Sequence, residues 1–395
     1  MPTQRLAVFF DGTDNTPADL TNVWRAHELL APQDAQGVPQ LKKYIKGVGT
    51  DTGYIARGSI FGEGVIQRIH EGYEWLARNY TDDTEIYIFG FSRGAFTARS
   101  LVQVISTCGL VRSSALTEFS SGRIFARYEA ISREEEQPIW KLRYWARHPE
   151  EKPAGWTPSA EDSLLLDDQK VRVVKVRLAG LWDTVGAIGT DAMANQGAMT
   201  QKSATHNVRP TKAQEYGYHA MAIDEHRPMF DVTLWRTFVE QGKEAETMAR
   251  YAQYYEQRWF IGAHSDVGGG YHDNRLPDIS LAWMQAKASA LGLAFTDVVA
   301  PAPQGWLADI HDSFVAFGWG ILNIWAKLMP GDQRTYRQIG RAPKVVTTAT
   351  GQAGDLWSIH ETIDPSVLER WKNDATYRPP SLVDYYNRNA GEKPA

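Results

Sequence analysis

Phe89-Gly90-Phe91-Ser92-Arg93-Gly94-Ala95 is the stretch on which the fold turns. It sets a serine inside Gly-x-Ser-x-Gly, directly after the strand-like run Glu85-Ile86-Tyr87-Ile88-Phe89 and before a helix-compatible run over 95–105. Strand, sharp turn and helix make the setting of a nucleophile elbow, where the reversal is tight enough to push the serine hydroxyl outward. Glycine is needed on both sides, because a side chain there would collide with the neighbouring strand or helix. The pattern alone is weak: at ~7% usage per fixed residue, a chain of this length offers roughly 0.1 matches by chance. The flanking strand and helix are what make Ser92 a candidate nucleophile. The plainer alternative is a strand-to-helix turn with a capping serine.

Working outward, Leu6-Ala7-Val8-Phe9-Phe10 reads as a buried strand, ended by the turn chemistry of Asp11-Gly12-Thr13-Asp14-Asn15-Thr16-Pro17. Val65, Ile66, Ile69, Tyr73 and Leu76 recur at helical spacing and predict an amphipathic helix over 63–79. The glycines between Gly47 and Gly64 lack phosphate-loop spacing, which argues against a nucleotide cradle. Strand alternating with helix implies a parallel sheet covered on both faces. The expected class is α/β, with an α/β-hydrolase-like, mostly parallel central sheet, helices on both faces and insertions, in a single domain over 1–395. Residues 117–168 are charged and carry Trp140, Trp145 and Trp156, so they read as an insertion. Further strands are expected at 171–181, 231–238 and 259–263, and helices at 244–257 and 279–291.

The bulk numbers bound the function. A chain of 395 residues, 43% hydrophobic, has ample core for one large domain. A net charge of −5 offers no electrostatic case for nucleic acid. The single cysteine, Cys108, excludes a disulfide framework and a cysteine-based zinc site. Leu6 to Phe10 is too short for the core of a signal peptide, and no run approaches the ~18 apolar residues of a membrane span. The expectation is a chain made in the cytosol, with export left to machinery that reads no signal peptide. Residues 314–329 are apolar nearly all round, with Lys327 the only charge. Such a helix is buried, or acts as a lid or cap within 301–345; exposed, it would make a peripheral membrane contact.

A serine hydroxyl needs a base to take its proton, and the base needs a carboxylate to hold its tautomer. In α/β-hydrolases the chain order is Ser, Asp/Glu, His, each on a loop after a strand. Ser92, Asp183 and His264 satisfy that order. Asp266 is the rival carboxylate and His360 the rival base; His226 and His219 follow behind. The oxyanion calls for backbone N–H donors, expected from Arg93, after the nucleophile, and from Gly12-Thr13, after an early strand. A competing chemistry rests on the oxygen- and nitrogen-rich set Asp11, Asp14, Asn15, Asp183, His264, Asp266, His272 and Asp273, which suits a metal-dependent phosphoesterase. No Asp-x-His or His-Glu-x-x-His pair supports it, so neither a metal nor a cofactor is expected.

Four blocks stand in order: Phe9-Phe10-Asp11-Gly12-Thr13, Gly90 to Arg99, Leu181-Trp182-Asp183-Thr184-Val185-Gly186 and Gly262 to Tyr271. Together they resemble the α/β-hydrolase family typified by the catalytic domain of type VI secretion phospholipase effectors. The resemblance implies a serine esterase, with some members cleaving acyl chains from phospholipids. It also implies a lipid or other ester substrate, and a secretion-apparatus or immunity partner. The contrasting reading is a non-catalytic binding protein that keeps the hydrolase core.

Overall fold

Strand β1 (Gln4–Phe10) is apolar on both faces, and both faces are covered. Leu6, Val8 and Phe10 point to a layer formed by α2 (Ile60–Asn79) and α3 (Arg93–Cys108). Ala7 and Phe9 point to the opposite layer, formed by α1 (Asn22–Leu29) and the helix Pro277–Ala290. Strand β3 (Thr84–Phe91) repeats the pattern, with Ile86 and Ile88 on the first side and Tyr87 and Phe89 on the second. Phe9 and Phe89 stack across the two strands at 4.9 Å, a contact worth ~0.5–1.5 kcal/mol beyond its buried area. Two-sided burial is the condition under which a purely parallel sheet is stable.

The computed structural model describes residues 2–50, 60–117, 121–131, 138–186, 209–313, 334–347 and 353–389. Among them, β1, β2 (Gln40–Ile45), β3, β6 (Val176–Trp182), β7 (Gln214–Ala222), β9 (Tyr255–Phe260) and β12 (Glu361–Ile363) form one sheet. Its order is β12-β9-β7-β6-β3-β1-β2, and every described pair is parallel. The connections change direction between β1 and β3. That is the switch point beyond whose carboxyl ends open α/β sheets place their sites, and Asp11-Gly12 and Ser92 leave the sheet there. A second, antiparallel sheet joins β10 (Lys344–Thr347), β11 (Ala353–Ser358) and β8 (Arg236–Val239), and β4 (Leu110–Val111) pairs with β5 (Val171–Arg172).

Several elements differ from the sequence expectation. The run 171–181 is two strands, β5 and β6, which belong to different sheets. The helix expected over 244–257 stops at Ala252, and β9 begins at Tyr255, inside that range. Pairing with β7 and β12 decides this, because local propensity does not mark the change. The strand expected over 231–238 forms only at its end, as β8 in the second sheet. Residues 117–168 contain the helices Ser121–Ile131, Ile139–Arg147 and Ala160–Leu166. Ile124, Tyr128, Ile139, Leu142 and Leu165 join the core on the α2/α3 side, and Arg127 pairs with Asp162 at 2.6 Å in the interior. The apolar run 314–329 lies outside the described residues. Among the described residues no helix is long and apolar enough to cross a membrane.

Candidate active site

Ser92 follows β3 directly and is the N-cap residue of α3, with φ 57° and ψ −125°. A non-glycine residue with positive φ costs about 1–3 kcal/mol and persists only where the surroundings enforce it. Here they do. A Cβ on Gly90 would lie 2.5 Å from Gly94 O, and one on Gly94 would lie 2.3 Å from Phe10 O and 2.4 Å from Asp11 O. The elbow is therefore wedged between its own helix and the end of β1. Its backbone is tied across to β6 by Ser92 N–H donating to Trp182 O and Val185 N–H donating to Ser92 O.

The register of β3 and β6 pairs Phe91 with Trp182, so Asp183 leaves the sheet beside Ser92. Asp183 is fully buried and also has positive φ, 39°. His264 opens the short helix His264–Gly268, four residues beyond the end of β9. Its Nδ1 lies 2.5 Å from Asp183 Oδ2. An ionised carboxylate only accepts, so Nδ1 carries the hydrogen and Nε2 keeps a lone pair. Two rings hold the imidazole: Phe91, adjacent to Ser92, at 4.6 Å and Phe230 at 5.0 Å. The structure thus brings Asp183 and His264 together next to the elbow. No hydrogen bond joins the Ser92 hydroxyl to His264 or to any other described residue.

The electrostatics follow from burial and from one cation, Arg337, that no sequence pattern singles out. Arg337 donates to both Asp183 oxygens, from Nη1 to Oδ1 at 2.5 Å and from Nη2 to Oδ2 at 2.8 Å. Burial alone would raise the Asp183 carboxyl, but Arg337 and the His264 hydrogen bond outweigh it and hold it below the usual carboxylate range. Burial pushes the His264 imidazolium down, opposed by Asp183 and Glu225, which favours a neutral base. Glu225 Oε2 accepts from the His264 backbone N–H at 3.2 Å and pairs with Arg227 at 2.8 Å. His219 accepts from Thr184 N–H at 3.0 Å through Nε2 and bears on the Asp183 loop from within β7. Burial lowers it to about 3, so it is a neutral structural support.

The remaining sequence candidates fall elsewhere. Asp266 is buried but faces His311, whose Nδ1 is 2.6 Å from its Oδ1 and whose ring stacks on Tyr271 at 3.7 Å. His360 precedes β12, and its Nδ1 lies 2.8 Å from the carbonyl of Tyr255, the first residue of β9. In a parallel sheet that is the end opposite Ser92. Gly12, expected as an oxyanion donor, has its N–H on Asp11 Oδ1 at 2.8 Å. Thr13 and Arg93 stay next to the elbow, joined by Arg93 Nη1 donating to Thr13 Oγ1 at 3.0 Å. As the first residue of α3, Arg93 presents its backbone N–H at the start of the helix, beside Ser92. Asp11 accepts from Tyr44 and Thr21 as well as Gly12, and burial raises its carboxyl to about 6. The oxygen-rich set therefore does not converge on one point: Asp11, Asp183 and Asp266 each hold different partners.

Sequence reasoning missed Arg337, Glu225, Phe230 and His311. Glu225 follows β7, whose run Gln214 to Ala222 shows no strict strand alternation. Arg337 sits in Thr335-Tyr336-Arg337-Gln338, which carries no local pattern.

A parallel sheet sandwiched between helices, with a strained serine elbow at its switch point, defines the class: an α/β-hydrolase-like protein. The chain belongs to the family described as type VI secretion, phospholipase effector Tle1-like, catalytic domain, whose model matches residues 4–287. It is 26% identical over 249 residues to the uncharacterized Saccharomyces cerevisiae protein YEL023C, covering 58% of this chain and 32% of that one. An uncharacterized Pseudomonas aeruginosa protein of known crystal structure is similar at 17% identity and TM-score 0.47, over 84% of this chain and 51% of that one. The Tle1 effector bound to the VgrG spike of a type VI secretion system is similar at 21% identity and TM-score 0.35, over 69% and 52%. The chain thus spans about a third of the yeast relative and about half of each of these two structures.

Proposed function

We propose that this protein is a serine hydrolase of carboxylic esters, acting on phospholipid or another lipid ester. Ser92 is the nucleophile, His264 the base and Asp183 the residue that orients it. The observation that carries the reading is the 2.5 Å contact of His264 Nδ1 with Asp183 Oδ2, next to a strained Ser92. His264 Nε2 takes the Ser92 proton as Oγ attacks the acyl carbonyl. The developing oxyanion is met by the N–H groups of Thr13 and Arg93. Collapse of the tetrahedral adduct breaks the ester bond, His264 returns the proton to the leaving alcohol, and water then releases the acyl group from Ser92 by the same steps. The Ser92 hydroxyl must turn toward His264 for the first step, and catalytic hydrogen bonds commonly tighten only once substrate is bound. The family's description as phospholipase effectors supports the lipid substrate, delivery by a type VI apparatus and a partner within it.

Ser92→Ala tests the reading. The variant should fold as the native protein does, yet lose hydrolysis of short p-nitrophenyl esters, fatty-acid release from phospholipid vesicles and labelling by a fluorophosphonate. Full ester hydrolysis by a folded Ser92→Ala would end it.

A further inference from the structure

We propose that Arg337 is a positioning residue of this hydrolase: its guanidinium fixes the Asp183 carboxylate in the orientation that receives the His264 Nδ1 hydrogen. The segment beyond the family-matched residues 4–287 thereby completes the catalytic centre. The inference rests on the roles given above to Asp183 and His264.

The geometry is that of a clamp. Arg337 Nη1 donates to Asp183 Oδ1 at 2.5 Å and to Ala222 O at 2.8 Å. Its Nη2 donates to Asp183 Oδ2 at 2.8 Å and to Phe230 O at 2.5 Å. One planar group therefore joins the loop after β6, the last residue of β7 and the turn whose Phe230 ring packs on His264. Besides Arg337, the described residues that hold the Asp183 carboxylate are Ala222, through its N–H on Oδ1 at 2.9 Å, and His264 itself. Without the guanidinium, one backbone donor would remain to resist rotation of the carboxylate away from the imidazole. Two parallel N–H···O bonds supply both direction and strength, which a lysine ammonium cannot reproduce on two oxygens at once.

The charge balance points the same way. Asp183 has no exposed surface and Arg337 only 4%. A buried carboxylate beside a neutral histidine would leave an uncompensated charge, which is costly. His264 meets Asp183, Glu225 and Arg227; Asp183 meets His264, Arg337 and, from β7, the neutral His219. Arg227 pairs with Glu225 and Arg337 with Asp183; Arg337 also faces Glu225 and Asp231, the latter paired with Arg341. Removing Arg337 leaves Asp183 and His264 as a pair that holds a proton to higher pH, whichever residue carries it. The acidic limb of the rate profile then moves upward. An arginine that served stability alone would lower the melting temperature and leave that limb where it was.

The test compares Arg337→Met and Arg337→Lys in the full chain, with kcat and KM for a p-nitrophenyl ester measured across pH and folding followed by thermal melting. Arg337→Met should lose roughly ten- to hundredfold in kcat, as expected when a reacting group is misplaced. KM should change little, and the acidic limb should move to higher pH. Arg337→Lys should restore the limb, because the charge is kept, but only part of kcat. A folded Arg337→Met with native kcat and an unmoved limb overturns the proposal. Should that variant not fold, a native kcat in Arg337→Lys overturns it equally. Ser92→Ala, run alongside, separates the two levels: if it stays active the hydrolase reading itself falls, whereas loss there with native Arg337 variants removes only the clamp.

Discussion

Asp183→Asn is the sharpest perturbation of this site, because its outcome follows from four donors around one carboxylate. Oδ1 faces Arg337 Nη1 and Ala222 N–H; Oδ2 faces Arg337 Nη2 and His264 Nδ1. Asparagine has one accepting oxygen and one NH2, so one side must set donor against donor. Neither the guanidinium nor the peptide can give up its hydrogen, whereas His264 can move its proton from Nδ1 to Nε2. The NH2 therefore settles toward His264, Nδ1 becomes the acceptor, and the lone pair that should take the Ser92 proton is gone. A wrong tautomer of this kind costs on the order of 10⁴-fold in kcat, or about 5.5 kcal/mol at 1.36 kcal/mol per tenfold. Arg337 is also left without its counter-charge, which should destabilise the fold by about 3–5 kcal/mol. Steady-state kinetics with a p-nitrophenyl ester reads the first effect and urea unfolding the second. The control is Asp266→Asn, whose carboxylate serves Ala263 N–H and His311 rather than His264. It should lose no more than about tenfold in kcat, the scale of a small displacement near a site. A folded Asp183→Asn that keeps a tenth or more of native kcat, with Asp266→Asn crippled, would refute the reasoning.

Two further outcomes follow from the other candidates. His360→Ala should leave kcat and KM within about twofold of native, as expected of a change away from reacting groups, because His360 sits at the amino end of β9, opposite Ser92. A large drop in kcat with the fold intact would restore it as the base. Asp11 is buried, and its carboxyl is raised from 3.8 to about 6. The stability that it lends as a neutral group is fully present below pH ~4 and is lost as pH rises through ~6. At about 1.4 kcal/mol per pH unit this amounts to about 3 kcal/mol. Urea unfolding from pH 4 to 7 should therefore favour Asp11→Asn over the native chain by a growing margin, and a constant margin would contradict the raised value.

The elbow was legible because its causes are local. Hydrophobic residues before Ser92, glycines on either side and a helix-forming run after it lie within two dozen residues, and the steric need for Gly90 and Gly94 holds wherever that turn occurs. β1 and β3 were legible for the same reason, since strands buried on both faces are short apolar runs. β2 and β7 were not. Gln40-Leu41-Lys42-Lys43-Tyr44-Ile45 is an edge strand with two lysines, and Gln214 to Ala222 mixes polar and apolar residues without strict alternation. Their strand character comes from pairing with β1 and with β6 and β9.

By itself, the sequence determined the class of fold and the turn that carries Ser92, because each depends on residues adjacent in the chain. It could not choose between Asp183 and Asp266, which lie 81 and two residues from His264 respectively. The nearer one in sequence is the wrong neighbour in space: the short helix that begins at His264 turns Asp266 toward His311, while strand register delivers Asp183 to the imidazole. Arg337 was out of reach altogether, 154 residues from the carboxylate that it grips. Short-range sterics write their rules into neighbouring residues, but a buried charge is balanced by whatever cation the tertiary fold brings within 3 Å of it, and nothing in the local sequence records which one that will be.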